Sequence, residues 1–134
     1  ASAADESQLI YLSPFKSNGE LSRCQAEVWY VGHEGDLYVV TAHDAWRSRA
    51  VEKGLTKTKV WTGDVGQWRS SNGRYQSLPS HMATAAQIAD ETVHAAVLEK
   101  FGRKYSAEWS SWGPRFTAGL ADGSRVLLRY TQTA

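Results

Sequence analysis

The chain has 134 residues, of which 42% are hydrophobic and 22% charged, and its formal net charge is +1. These values are typical of one globular domain, exclude a disordered chain, and argue against nucleic acid or an anionic membrane as a partner. No run reaches the roughly 18 apolar residues of a membrane span. The one cysteine, Cys24, excludes an internal disulfide and a cysteine-based zinc site.

The N-terminal residues carry little regular pattern. Residues 1–20 are predicted to form a loosely ordered segment, and residues 21–134 are predicted to form the folded domain. The opening residues 1–5, Ala-Ser-Ala-Ala-Asp, are small residues of the kind found where signal peptides are cleaved. Both a cytoplasmic and an exported protein are compatible with this pattern.

Two strands are predicted next. Residues 26–33 and 36–42 are rich in β-branched and aromatic side chains, which favour strands. Glu34 and Gly35 between them predict a tight hairpin turn, because glycine tolerates the positive φ that short turns require. The nearly continuous apolar centres of both strands indicate that both faces are covered, as in a barrel wall with another layer outside it.

A short helix and a third strand follow the hairpin. Asp44 is predicted to cap a helix over residues 45–53, which Gly54 ends. Residues 57–62 read Lys-Thr-Lys-Val-Trp-Thr, and this alternation with a period of two predicts a strand.

The middle of the chain predicts a meander and then a long helix. Short strands are predicted at residues 67–69 and 74–77, since closely spaced turn residues bracket both. Residues 84–102 are predicted to form a helix that Thr84 caps, that has one apolar face, and that Gly102 ends.

The C-terminal part predicts an aromatic loop at residues 109–114 and a hairpin of residues 116–120 and 125–131. Antiparallel hairpins interrupted by two helices are typical of an α+β fold built on an antiparallel barrel, rather than of a parallel α/β sheet.

No motif in the sequence is specific to one reaction. It contains no nucleophile elbow, phosphate-binding loop or paired-histidine zinc motif. The best candidate is the strand end at Thr41 with the following helix, where Arg47 and Arg49 add guanidinium groups to a hydroxyl and free backbone N–H groups. Such a stretch can hold a phosphate, although residues two apart on a helix do not face one ligand. The alternative interpretation is a solvated basic helix face.

The six tryptophans are interpreted mainly as core or subunit-interface residues, because large aromatic side chains dominate both. Aromatic and basic residues interleaved between positions 61 and 74 would also suit single-stranded nucleic acid. The near-neutral net charge disfavours that interpretation.

The order and spacing of four stretches carry a family resemblance that spans about residues 20–131. The stretches are Gly35-Asp-Leu-Tyr-Val-Val-Thr41, Ala45-Trp46-Arg47, Lys59-Val-Trp-Thr-Gly63 and Glu99-Lys-Phe-Gly-Arg-Lys-Tyr105. The chain resembles the FMN-binding split-barrel superfamily, which includes the pyridoxamine-phosphate oxidases, and within it lies near the deazaflavin-dependent nitroreductase relatives.

This resemblance implies a six-stranded antiparallel split β-barrel with one long and one short helix. It also implies a homodimer with cofactor sites between the subunits, and FMN or a deazaflavin as the cofactor. The residues that it implies for cofactor binding are Thr41, Trp46, Arg47, Arg49, Lys59 and Trp61. Of these, Thr41, Arg47 and Arg49 are expected near the phosphate, and Lys59 or Trp61 near the ring.

Three functions follow as hypotheses. The leading one is a flavin-nucleotide-binding protein acting as a small oxidoreductase, in which the redox chemistry belongs to the flavin. The second is a non-enzymatic module of the same fold that binds haem or another small ligand. The third is a purely structural dimeric domain.

Overall fold

The computed structural model of the protein describes residues 9–22, 26–63 and 74–133. Within these ranges the chain forms seven strands, three α-helices and one short 3-10 helix. In chain order these are β1 (Ile10–Pro14), β2 (Ala26–Val28), β3 (Val31–His33), β4 (Asp36–Ala42), α1 (Trp46–Glu52), β5 (Lys57–Thr62), the 3-10 helix (Arg74–Ser77), β6 (Ser80–Ile88), α2 (Glu91–Lys104), α3 (Trp109–Asp122) and β7 (Arg125–Thr133).

The strands form one antiparallel sheet in the order β2-β1-β5-β6-β7-β4-β3. β2 and β3 are therefore its two edges, although only Trp29 and Tyr30 separate them in the chain. The chain thus passes directly from one edge to the other, which requires the sheet to curl on itself. Among the described residues no ladder joins the two edges, so the barrel is split rather than closed.

Each face of the curled sheet has its own core, because successive side chains of a strand point to opposite faces. In β4, Val39 belongs to the core inside the barrel, whereas Tyr38 and Val40 belong to the core outside it. The inner cluster consists of Ile10, Leu12, Val28, Tyr30, Val39, Val60, Ala83, Ala85, Val126, Leu128 and Tyr130. The outer cluster consists of Val31, Tyr38, Val40, Val97, Phe101, Tyr105, Phe116 and Leu127, and it lies under α2 and α3.

The strand predicted over residues 26–33 is divided in the structure. Its first part pairs with β1 and its second part with β4, so the sheet has seven strands rather than six. The hairpin turn is confirmed, because Glu34 and Gly35 have φ of 51° and 86°.

The sheet also begins earlier than the predicted domain boundary at residue 21. β1 lies between β2 and β5, with Ile10, Tyr11 and Leu12 almost fully buried. The predicted loosely ordered segment therefore contains a core strand, and residues 1–8 lie outside the described part of the chain.

α1 agrees with the predicted short helix apart from its cap. Ala45 occupies the N-cap position without a side-chain hydrogen bond, so the prediction that Asp44 caps the helix is wrong. Gly54 follows the helix with φ of 82°, as expected of a helix stop. β5 has the predicted bounds.

The first part of the helix predicted over residues 84–102 is strand β6. Ala83 and Ala85 are buried on the inner face while Thr84 is exposed. This period of two fits a strand that pairs with β5 on one side and β7 on the other.

α2 itself begins after Asp90, not after Thr84. The Asp90 carboxylate accepts hydrogen bonds from the backbone N–H groups of Thr92 and Val93, at 2.8 and 3.4 Å. The helix runs through Gly102 to Lys104, so the predicted stop at Gly102 is also wrong.

α3 replaces the aromatic loop and the strand predicted over residues 109–114 and 116–120. Gly113 and Pro114 favour a loop, but Phe116 is buried in the outer cluster, and this packing outweighs local propensity. β7 confirms the strand predicted over residues 125–131.

Residues 74–77 form the 3-10 helix instead of the predicted strand, and the strand predicted over residues 67–69 lies outside the described residues. None of the described helices is long and apolar enough to cross a membrane.

Candidate functional site

Two of the predicted site residues lie on the outer face of α1. Trp46, Arg49 and Lys53 are spaced three and four residues apart, which places them on one side of the helix. The Lys53 Nζ lies 5.4 Å from the centroid of the Trp46 ring. Arg49 and Lys53 are exposed, so this side combines an indole with two solvated cations.

A cavity of about 350 Å³ adjoins this face. We call it the α1 cavity; its lining residues are Lys16, Ser17, Trp46, Lys53 and Leu55. The Trp46 Nε1 is buried and has no hydrogen-bond partner among the described residues. Lys16 lies 4.0 Å from Glu20, but both side chains are exposed, and such pairs contribute little. The cavity therefore offers two ammonium groups and a hydroxyl beside the indole of Trp46 and the apolar side chain of Leu55.

Arg47 lies on the side of α1 that faces the barrel. It is half-buried, and its positive charge acts on Tyr130 of the inner cluster. Burial raises the pKa of Tyr130 above its ordinary value, and the Arg47 charge lowers it in part. Arg47 and Arg49 thus lie on different faces of α1, as their spacing requires.

The other predicted site residues are also separated from the α1 cavity. Thr41 lies on the inner face of β4, and its hydroxyl is buried without a partner among the residues that the structure describes. Trp61 is only 2% exposed and packs against Tyr75 with ring centroids 5.2 Å apart. Lys59 places its Nζ 5.1 Å from the Trp61 ring. The structure thus brings Trp46 and Arg49 together and leaves no surface of Trp61 open to a flavin ring.

A second concave feature lies between the sheet and α3. Sequence analysis did not identify this feature. We call it the aromatic pocket; it has a volume of about 270 Å³ and is lined by Val28, Trp29, Val40, Trp112, Phe116 and Arg125. The high tryptophan content was the only sequence pattern that pointed to it, because the pocket requires residues 109–122 to be helical.

The histidines make local contacts. His43 Nε2 lies 2.9 Å from Glu52 Oε1, which ties the turn before α1 to the end of that helix. His94 Nε2 lies 2.7 Å from the carbonyl oxygen of Ile88. Burial lowers the pKa of His81. Within the described ranges no group of three or more His, Cys, Asp or Glu residues is placed to hold a metal ion.

No protein-family model matches this sequence, and no curated protein matches it at a significant level. Several solved structures do match its fold. HutZ, the haem storage protein of Vibrio cholerae, has a TM-score of 0.70 at 12% identity, over 98% of this chain and 86% of that one. A putative pyridoxamine 5'-phosphate oxidase from Listeria innocua has a TM-score of 0.61 at 12% identity, over 98% and 89%. A putative 5-nitroimidazole antibiotic resistance protein from Bacteroides thetaiotaomicron has a TM-score of 0.62 at 9% identity, over 96% and 75%.

At these identities the likeness shows the fold alone. The chain shares the α+β split-barrel fold of these neighbours, which confirms the coarse fold class. The predicted six strands with one long and one short helix are wrong, because the described residues form seven strands and three α-helices. The closer relation to deazaflavin-dependent nitroreductases stays a prediction.

Proposed function

We propose that this protein binds a flavin nucleotide, FMN, and that the bound flavin makes it a small oxidoreductase. The observation that carries the proposal is the α1 cavity, where the Trp46 indole and the cations of Lys16 and Lys53 line one space, and the exposed Arg49 lies on the same side of α1. Ammonium and guanidinium groups form charge-assisted hydrogen bonds with phosphate, which are roughly twice as strong as neutral ones. The face of an indole suits a planar aromatic ring.

The residues of the α1 cavity fit the two ends of FMN. The phosphate would lie among Arg49, Lys53 and Lys16, and the Ser17 hydroxyl is a further donor. The apolar side of the cavity at Leu55 suits the ring. The flavin supplies the redox chemistry, and the chain binds and orients it. A deazaflavin nucleotide carries the same phosphate and is the variant cofactor of this proposal.

The comparisons support a ligand of this class. The Listeria neighbour is named for pyridoxamine 5'-phosphate, a ligand with a phosphate and an aromatic ring. A split barrel with a basic and aromatic cavity suits the same combination here.

The second candidate function is haem binding without catalysis. The observation that favours it is the TM-score of 0.70 with the haem storage protein HutZ. Haem is also planar and anionic, so the same cavity chemistry serves it, and the absorbance spectrum separates the two ligands.

We also propose that the protein is a homodimer. The Trp112 side chain is 36% exposed at the edge of a cluster of aromatic rings, and exposed aromatic surface is typical of interfaces. Light scattering at micromolar concentration is expected to give twice the chain mass of 14.8 kDa. A mass equal to one chain would contradict this proposal.

FMN titration tests the proposed site. Flavin fluorescence should be quenched on binding to the wild type, and each cation lost in the variant Arg49→Ala/Lys53→Ala should weaken binding at least tenfold, because hydrogen bonds to charged groups contribute about 1.5–3 kcal/mol. Arg103→Ala is the matched control, since Arg103 is an exposed arginine of α2 that pairs with Glu99.

Riboflavin, which lacks the phosphate, is the ligand control. It should bind more weakly than FMN, and with equal affinity to the wild type and the double variant. A wild type that ignores FMN, or a double variant that binds it as tightly, would overturn the proposed site.

A further inference from the structure

We infer that the aromatic pocket is a separate binding site for a small planar aromatic carboxylate, with the ring inside the pocket and the carboxylate on Arg125. The pocket shares no lining residue with the α1 cavity. α1 packs on the inner cluster through Val51, whereas Val40 and Phe116 of the pocket belong to the outer cluster. Val28 of the pocket belongs to the inner cluster, so the separation of the two sites rests on their different lining residues.

Aromatic rings frame the pocket. Trp29 stacks on Tyr105 with centroids 4.2 Å apart and ring planes within 5°, so one indole face is already covered inside the protein. Trp112 and Phe116 meet the Trp29 ring at 6.1 and 6.2 Å in edge-on arrangements. Rings in offset and edge-to-face geometry attract one another, so a flat aromatic ligand can extend this cluster.

The size of the pocket matches one or two fused rings. Its volume is about 270 Å³, and an apolar cavity of about 150 Å³ accepts benzene. Val28 and Val40 complete an apolar lining in which Arg125 is the charged residue.

Arg125 is held in position by close packing. Its stem crosses Gly119 of α3, where an added Cβ would lie 2.6 Å from the Arg125 Cδ. Its Cζ lies 5.2 Å from the Phe116 ring centroid and 6.0 Å from that of Trp112. Glycine at position 119 thus leaves room for the arginine between the helix and the sheet.

The guanidinium has no acidic partner in the described part of the chain, where no carboxylate lies within 4.0 Å of it. Asp122, nearby on α3, instead accepts a hydrogen bond from the Ser124 backbone N–H at 2.8 Å. A half-buried, positioned guanidinium beside an aromatic pocket favours a bound carboxylate, because the planar fork binds a carboxylate through two parallel hydrogen bonds.

Calorimetric titration with 2-naphthoate tests this site, with 2-naphthalenemethanol as its uncharged analogue. The wild type should bind 2-naphthoate, and Arg125→Gln should bind it at least tenfold more weakly. The alcohol should bind the wild type and Arg125→Gln equally, which shows that the pocket of the variant is intact. Arg115→Gln is the control, because Arg115 is an exposed arginine whose Cζ lies 5.0 Å from the Trp112 ring; it should bind 2-naphthoate like the wild type.

Four results would overturn the inference. They are a wild type that does not bind 2-naphthoate, an Arg125→Gln variant that binds it as tightly, an equal loss in Arg115→Gln, and a change from dimer to monomer in Arg125→Gln. Saturating FMN should leave the affinity for 2-naphthoate unchanged, and competition between them would be a fifth result against a separate site. Since the titration needs no flavin, its outcome is independent of the proposed flavin site.

Discussion

Replacing Gly113 by alanine has two opposing effects on stability, a gain in helix propensity and a steric clash within the packed core. In a helix interior, alanine is favoured over glycine by about 1 kcal/mol. At Gly113, however, the added Cβ would lie 2.8 Å from the Trp109 ring atoms Cε2 and Nε1. That ring cannot retreat easily, because it also lies against Gly102, whose added Cβ would be 3.0 Å away, and stacks on Phe101 at 6.2 Å.

The steric clash with Trp109 should outweigh the gain in helix propensity, so the variant should be less stable than the wild type. Overpacking of a filled site costs about 1–3 kcal/mol, which exceeds the propensity gain over most of that range. We therefore expect Gly113→Ala to lower the free energy of unfolding by about 1 kcal/mol, as the difference between the two effects.

Equilibrium urea unfolding of a double-mutant cycle measures this balance. With the indole removed by Trp109→Ala, the same Gly113→Ala change should stabilise the protein by about 1 kcal/mol, because only propensity remains. If Gly113→Ala stabilises the protein while Trp109 is present, the Trp109 ring does not lie against Gly113.

Three further predictions concern stability. Phe101 is fully buried, so Phe101→Ala should lower the free energy of unfolding in urea by about 3–5 kcal/mol, and a loss below about 1 kcal/mol would contradict its place in the outer cluster. Thr41→Val should raise that free energy by about 1 kcal/mol, because it removes a buried hydroxyl without a described partner; a loss would show that the hydroxyl is bonded. Burial lowers the pKa of His81, so the unfolded state binds its proton more readily, and stability should fall as the pH drops below 6.5, the ordinary pKa of histidine. His81→Gln should weaken this dependence in urea unfolding at several pH values, and an unchanged dependence would contradict the assignment to His81.

The sequence predicted correctly those strands whose own residues favour a strand. Asp36–Ala42 and Lys57–Thr62 match their predicted bounds, because both are rich in strand-forming residues or alternate regularly. Ser80–Ile88 contains three alanines and a capping pattern at Thr84 that favour a helix. It is a strand because β5 and β7 pair with it on both sides, and such pairing between distant segments is not visible in a short window.

The residues of the α1 cavity were also predictable only in part. Trp46 lines the α1 cavity and Arg49 is exposed on the same side of α1, whereas helix geometry turns Arg47 toward the barrel. Their role in cofactor binding stays a prediction. Lys16 was not predicted, since it comes from the connection after β1, about thirty residues away from α1 in the chain. The aromatic pocket draws on β2, β4, α3 and β7 and required the tertiary structure.

FMN binding can be read directly from the absorbance spectrum of the protein. The spectrum should be recorded as purified, and again after incubation with excess FMN and removal of free ligand by gel filtration. We expect flavin absorbance that elutes with the protein and is lost in Arg49→Ala/Lys53→Ala. A Soret band in the purified protein, or no flavin retained after incubation, would contradict the proposed flavin binding.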